Sequence, residues 1–282
     1  MSTKRKRRKY RLRRCVVVAG LRFIVFICLG MVVFSMYERY RNDNEIEELR
    51  KLKADNDFVS VSVAGETVGP ETIEELSEVN TDEGKERPEP EILEEYSELC
   101  SINPDMVGWL RIENTEINYP VVQNEDNEYY LHHDFYGEDS RYGTLFVKDI
   151  ADVNTPGTNF IIYGHHMRNG SMFGNLDEYE SESFFREHPI ISFDTIFEKR
   201  EYQVISVFRS KVYSEDEEAF KYYDFYQANS KSEFEEFYNN VKSLSEYDTE
   251  VEAEYGDTFL TLSTCAYHTE DGRFVVVAKR IR

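Results

Sequence analysis

Cysteine is scarce, at four in 282 residues. Cys15 and Cys28 lie in or beside one long apolar run, so only Cys100 and Cys265 remain for the rest of the chain. A disulfide framework is thereby excluded, and a domain of this size closes its core without one. A single Cys100–Cys265 bridge is the most the sequence allows, and it would rule out any role for Cys265 as a nucleophile. No Cys/His grouping has zinc spacing, and neither metal nor cofactor is expected. Basic charge is missing from most of the chain as well. Residues 1–41 hold twelve of the 33 Lys and Arg and one of the 55 Asp and Glu, leaving 21 basic against 54 acidic residues downstream. Such a body repels phosphate backbones, so the basic N-terminus is not read as a nucleic-acid arm.

What is present begins with that basic head, "MSTKRKRRKYRLRR", followed by the apolar stretch Cys15 to Tyr37, interrupted by Arg22. Its length crosses a bilayer core of roughly 30 Å as a helix. Positive flanks stay on the cytoplasmic side, which places residues 1–14 inside and the remainder outside. "FSMYERY" offers no small-residue cleavage site, so 15–37 is read as a retained single-pass membrane anchor rather than a signal peptide. Residues 38–90, rich in Glu, Asp, Asn and Ser, have little to bury and read as an acidic stalk, with Ile46, Leu49 and Leu52 marking a short helix at its start.

The folded domain is expected over 91–282. Ile92, Leu93, Tyr96 and Leu99 recur at helical spacing. Eight short β-branched or aromatic runs follow: "VGWLRI", "INYPVVQ", "GTLFVK", "TNFIIYG", "IISFDT", "EYQVISVFR", "DTFLTLSTC" and "RFVVVAKRI". The class is mainly β, and eight strands suit a small closed barrel. Between strands six and seven, "SKSEFEEFYNNVKSL" has the pattern of a capped amphipathic helix. Such an insertion serves as a lid, wall or specificity element, or it packs over an open barrel end.

Cys265 ends an apolar strand and abuts a loop, where a thiol is both fixed and reachable. The connection "AYHTEDG" folds the last two strands into a hairpin that brings Arg273 beside it. A guanidinium there favours thiolate and can stabilise an oxyanion. The plainer alternatives are a core thiol and a rim arginine paired with Glu270 or Asp271. Amide chemistry at a thiol also needs a proton donor, and His165 and His166 stand at the end of "TNFIIYG". Alternation lets only one of the two face the cysteine, and Gly164 before them would permit close approach of a substrate backbone. His132 and His133 read as loop or core-rim residues, His188 as a turn residue, and His268 lies in the hairpin loop.

"YGHH", "TLSTC" and "GR" behind an N-terminal anchor resemble the sortases, cysteine transpeptidases of Gram-positive cell surfaces. "INPDMVGWLRIENTEINYPVVQ", "YYLHHDF", "GTLFVKD" and "NFIIYGHHMRNGSMFGNL" look like class B members in particular, as does the helical insertion. The resemblance spans roughly residues 91–282. It implies the closed eight-stranded sortase barrel, with Cys265 as nucleophile, His165 as acid and base, and Arg273 as oxyanion partner. It also implies two substrates, the C-terminal sorting signal of a surface protein, cleaved at a Thr carbonyl through a thioacyl intermediate, and an amine of cell-wall peptidoglycan. Three rival readings have distinct signatures: a hydrolytic cysteine peptidase, a non-enzymatic surface domain with a buried thiol, and a pilin-polymerising sortase. The last often carries a second membrane segment, whereas this chain ends at Arg282 directly after its last strand.

Overall fold

A computed structural model of the protein describes residues 2–63, 90–265 and 271–282. The chain divides into two compact units, Met1–Glu48 and Leu49–Arg282. The first is helical throughout its described part, within helix α1 (Ser2–Val63). From Val18 to Tyr40 its large apolar side chains, among them Phe23, Phe26, Met31 and Phe34, are exposed. This is the one helix among the described residues that is long and apolar enough to cross a membrane.

The second unit is built on eight strands that close into a barrel in the order β1-β2-β3-β4-β7-β8-β6-β5. The strands are β1 (Met106–Arg111), β2 (Asn118–Gln123), β3 (Leu145–Val147), β4 (Asn159–Gly164), β5 (Ile190–Thr195), β6 (Glu201–Lys211), β7 (Phe259–Cys265) and β8 (Gly272–Arg280). Each falls on one of the eight apolar runs read from the sequence. Alternation divides every strand between two environments. Phe160, Phe193 and Tyr202 meet inside the barrel, with ring centroids 5.3 and 6.2 Å from Phe160. Neighbours of opposite parity, such as Ile161, Phe259, Val275 and Val277, face outward and are equally buried.

What covers that outer face is the segment between β6 and β7. Its helix α5 (Lys231–Leu244) starts at Ser230, whose hydroxyl accepts from the Glu233 N–H, the cap expected from the sequence. Phe234, Phe237 and Val241 form its apolar stripe and pack on Phe259, Val275 and Val277. The insertion therefore seats on the flank of the barrel rather than over an open end. Polar ties fix it there: Asn159 on β4 donates to the Phe225 carbonyl at 2.9 Å, and Thr158 accepts from the Ala228 N–H at 2.9 Å.

Three shorter helices complete the unit: α2 (Glu94–Ile102), α3 (Tyr129–His132) and α4 (Glu182–Glu187). Part of the expected stalk behaves differently from a linker. In the C-terminal part of α1, Leu49 is fully buried, and Arg50 donates to the carbonyls of Asn118 and Glu116 at 3.0 and 3.1 Å. Lys53 pairs with the buried Glu95. Residues 64–89, the rest of that stalk, lie outside the described residues.

Candidate active site

Strand register alone brings the three sequence candidates to one rim. β4 and β7 run parallel, with Gly164 opposite Thr264, so His165 follows at the same end as Cys265. β7 and β8 run antiparallel, with Cys265 opposite Arg273. Neighbouring strands lie about 4.8 Å apart, so the cysteine is flanked by histidine on one side and arginine on the other. All three line one groove of about 650 Å³.

Cys265 is the one exposed residue of an otherwise buried strand. It is unbridged, as is Cys100. Burial pushes the Cys100 thiol up, as expected for a structural cysteine. Beneath Cys265, Thr264 donates its hydroxyl to the Gly164 carbonyl at 2.7 Å, clamping β7 to β4 at the level of the site.

His165 is half-buried, and its Nε2 lies 2.8 Å from the Leu131 carbonyl. A carbonyl can only accept, so Nε2 donates to it, and Nδ1 is the ring nitrogen not engaged there. Its neighbour His166 turns away and meets Asp177 at 3.1 Å. The reading of Gly164 needs correction. A Cβ there would sit 2.3 Å from Leu145 Cδ2 and 2.8 Å from the Phe173 ring, so the missing side chain makes room for the protein's own packing, not for a substrate backbone.

Arg273 donates from Nη1 to the carbonyls of Asp271 and Gly272 at 3.2 and 2.9 Å. These contacts aim the guanidinium without neutralising it. Asp271 adopts φ +54, the left-handed turn conformation an Asp tolerates. Glu270 and His268 lie outside the described residues.

The other described histidines, His132, His133, His166 and His188, stand apart from the groove lining. His133 stacks on Tyr129 with centroids 3.9 Å apart, and His188 donates from Nδ1 to the Glu113 carbonyl. Yet α3, which carries no catalytic signature, supplies the Leu131 carbonyl that orients His165. A backbone group leaves no mark in sequence, so that contact was invisible there.

The groove walls also went unread. Tyr222 and Tyr223 enter from the insertion, and Tyr163 from β4. The Tyr222 hydroxyl is 2.7 Å from Ser263 Oγ, two residues before Cys265 on the same strand face. Burial pushes the Tyr163 and Tyr222 phenols well up, so both stay neutral. Lys148 lies over the Tyr163 ring at 5.2 Å. Among the described residues no cluster of His, Cys, Asp and Glu is suited to a metal.

Residues 110–281 match the family profile of the sortase domain. The chain belongs to the sortase family. Its relatives include sortase B enzymes. Sortase B of Listeria monocytogenes is 36% identical over 198 residues, covering 68% of this chain and 76% of that protein. Sortase B of Staphylococcus aureus is 34% identical over 190 residues, covering 67% and 75%. Among solved structures, Bacillus anthracis sortase B in complex with AAEK1 superposes with a TM-score of 0.68 at 31% identity, over 88% of this chain and 99% of that one. A Staphylococcus aureus sortase B–substrate complex superposes with a TM-score of 0.69 at 27% identity, over 87% and 98%. This sortase is therefore a cysteine transpeptidase of class B.

Proposed function

We propose that Cys265, His165 and Arg273 are the catalytic groups of this sortase, acting on the C-terminal sorting signal of a surface protein. The observation that carries the reading is the β4-β7-β8 register, which sets imidazole and guanidinium on either side of one exposed sulfur. The Cys265 thiol passes its proton to His165 Nδ1, and the resulting thiolate attacks a Thr carbonyl of the sorting signal, forming a C–S bond and pushing the carbonyl electrons onto oxygen. Arg273, held by two carbonyls, donates to that oxyanion. As the tetrahedral intermediate collapses, the C–N bond breaks and the leaving amine takes a proton from His165 Nδ1. An amine of cell-wall peptidoglycan then attacks the thioester, gives its proton back to Nδ1, and releases the Cys265 thiolate.

The apolar run 15–37 anchors the enzyme, with the basic residues 1–14 cytoplasmic and the domain 91–282 outside. The test is incubation of the full chain in micelles with a sorting peptide, with and without an added amine. The expected result is a thioacyl adduct on Cys265 in the mass spectrum and product joined to the amine. Cleavage that ignores the amine would make the enzyme a hydrolase, and an adduct absent from Cys265 would remove the assignment altogether.

A further inference from the structure

A second cavity, of about 390 Å³, opens on the other side of the same unit, between the Leu49–Asn56 part of α1 and strands β1 and β5. Its distance from the catalytic groove follows from the β6·β8 ladder. That ladder runs from Tyr202 opposite Arg280 to Lys211 opposite Gly272. Glu201 and Arg282 line the cavity at the first end, and Val212 and Arg273 line the groove at the other. Ten residues of strand separate the two by roughly 30 Å.

The chemistry of this cavity runs against the rest of the body. Downstream of residue 41 acids outnumber bases 54 to 21, yet the cavity is lined by Arg50, Lys53, Arg111, Lys199, Arg200 and Arg282 against Asp194 and Glu201. Arg111 pairs with Glu113, Arg200 with Glu198, and Lys53 and Lys199 with Glu95, whereas Arg50 and Arg282 have no carboxylate side-chain partner among the described residues. Arg50 spends its two hydrogen bonds on backbone carbonyls and lies over the Tyr119 ring at 5.5 Å. Arg200 is 1% exposed and donates to the carbonyls of Val153 and Asn154 at 2.7 and 2.9 Å. Its carboxylate partner Glu198 is shared with Arg280, and Glu95 is shared between Lys53 and Lys199. Of the two acids, Asp194 is engaged by the Tyr96 hydroxyl at 2.8 Å. Guanidinium groups held in advance lose little freedom on meeting an oxyanion, whose geometry their donor forks match.

We propose that this cavity binds a polyol phosphate. Arg50 and Arg282 take the phosphate. The remaining volume exceeds what an inorganic anion fills, and Ser192 and Asn118 offer hydroxyl and amide groups to a polyol, while Ala54 and the Trp109 ring supply an apolar wall. This site is independent of the catalytic assignment.

Trp109 is the only tryptophan in the chain and lines this cavity, so its fluorescence is a probe of binding there. The full chain in uncharged micelles is titrated with glycerol 3-phosphate, with glycerol, and with inorganic phosphate and sulfate. The expected result is a saturable change with glycerol 3-phosphate, none with glycerol, and affinity reduced about tenfold by Arg50→Gln and by Arg282→Gln, as for loss of one charge-assisted hydrogen bond. Arg282 is exposed, so its variant stays informative even if Arg50→Gln disturbs the α1 contact.

A parallel arm in nanodiscs with and without phosphatidylglycerol separates a lipid headgroup from a soluble phosphate, and saturation in either arm supports the site. Equal response to phosphate, sulfate and glycerol 3-phosphate, an adventitious ion only, overturns the proposal, as does unchanged affinity in both variants or no saturable change in any arm. Cys265→Ala should bind as the parent does, so failure here and failure of the catalytic reading remain distinguishable.

Discussion

Cys265 and Arg273 are direct partners across the β7·β8 ladder, although seven residues separate them in the chain. Their adjacency is a backbone property and does not depend on the side chains themselves. Substitutions at either position should therefore separate chemistry from folding.

Cys265→Ala should abolish both cleavage and transfer of a sorting peptide while leaving the circular dichroism spectrum and the melting temperature unchanged. The residue is exposed at a strand end, so little packing is lost. Residual transfer above background would remove Cys265 from the mechanism.

Arg273→Lys keeps the charge but loses the planar set of donors that two carbonyls now aim. By analogy with loss of one oxyanion donor, kcat should fall about 10²- to 10³-fold. A drop confined to KM would instead point to substrate binding.

Gly164→Ala tests the corrected reading of that glycine. A methyl group 2.3 Å from Leu145 Cδ2 must displace packed side chains. Overpacking of this kind costs about 1–3 kcal/mol, read as a lower urea midpoint. Leu145→Ala in the same chain should recover part of the loss, and no recovery would show that the strain lies elsewhere.

Tyr222→Phe removes the hydroxyl that meets Ser263 and leaves a buried Ser263 Oγ without that partner. Stability should fall by about 1–3 kcal/mol. Because Ser263 lies two residues before Cys265 on the same face, transfer should slow as well. Unchanged kinetics would confine Tyr222 to a structural role.

Asp152 gives a pH-dependent test. The Thr155 hydroxyl and backbone N–H groups at Thr155 and Asn154 stabilise its carboxylate and hold its pKa below the ordinary value. A folded pKa below the unfolded one contributes stability above the unfolded pKa, about 3.9, and that contribution disappears as pH falls through the folded value. Thr155→Val removes the hydroxyl donor. Its urea midpoint should lie below the parent's at neutral pH, and the gap should narrow as pH falls below about 4. A gap independent of pH would refute the linkage.

The eight strands were legible because each is a short apolar run bounded by turn residues, and such patterns are local. The Cys265–Arg273 pairing was legible for the same reason, since a hairpin joins consecutive strands. Choosing between His165 and His166 required more. Alternation says that one faces the groove, but only the Leu131 carbonyl and Asp177 decide which.

Composition and periodicity by themselves determined a basic apolar N-terminus, an eight-stranded β domain and a lone thiol at a strand end, because each is written in neighbouring residues. Tertiary structure alone decided that β4 lies beside β7, that α5 covers the barrel's flank, that α3 backs the imidazole and that α1 reaches Asn118. Those contacts join residues 34 to 100 positions apart, several through backbone carbonyls that every residue possesses, so no side-chain pattern could announce them.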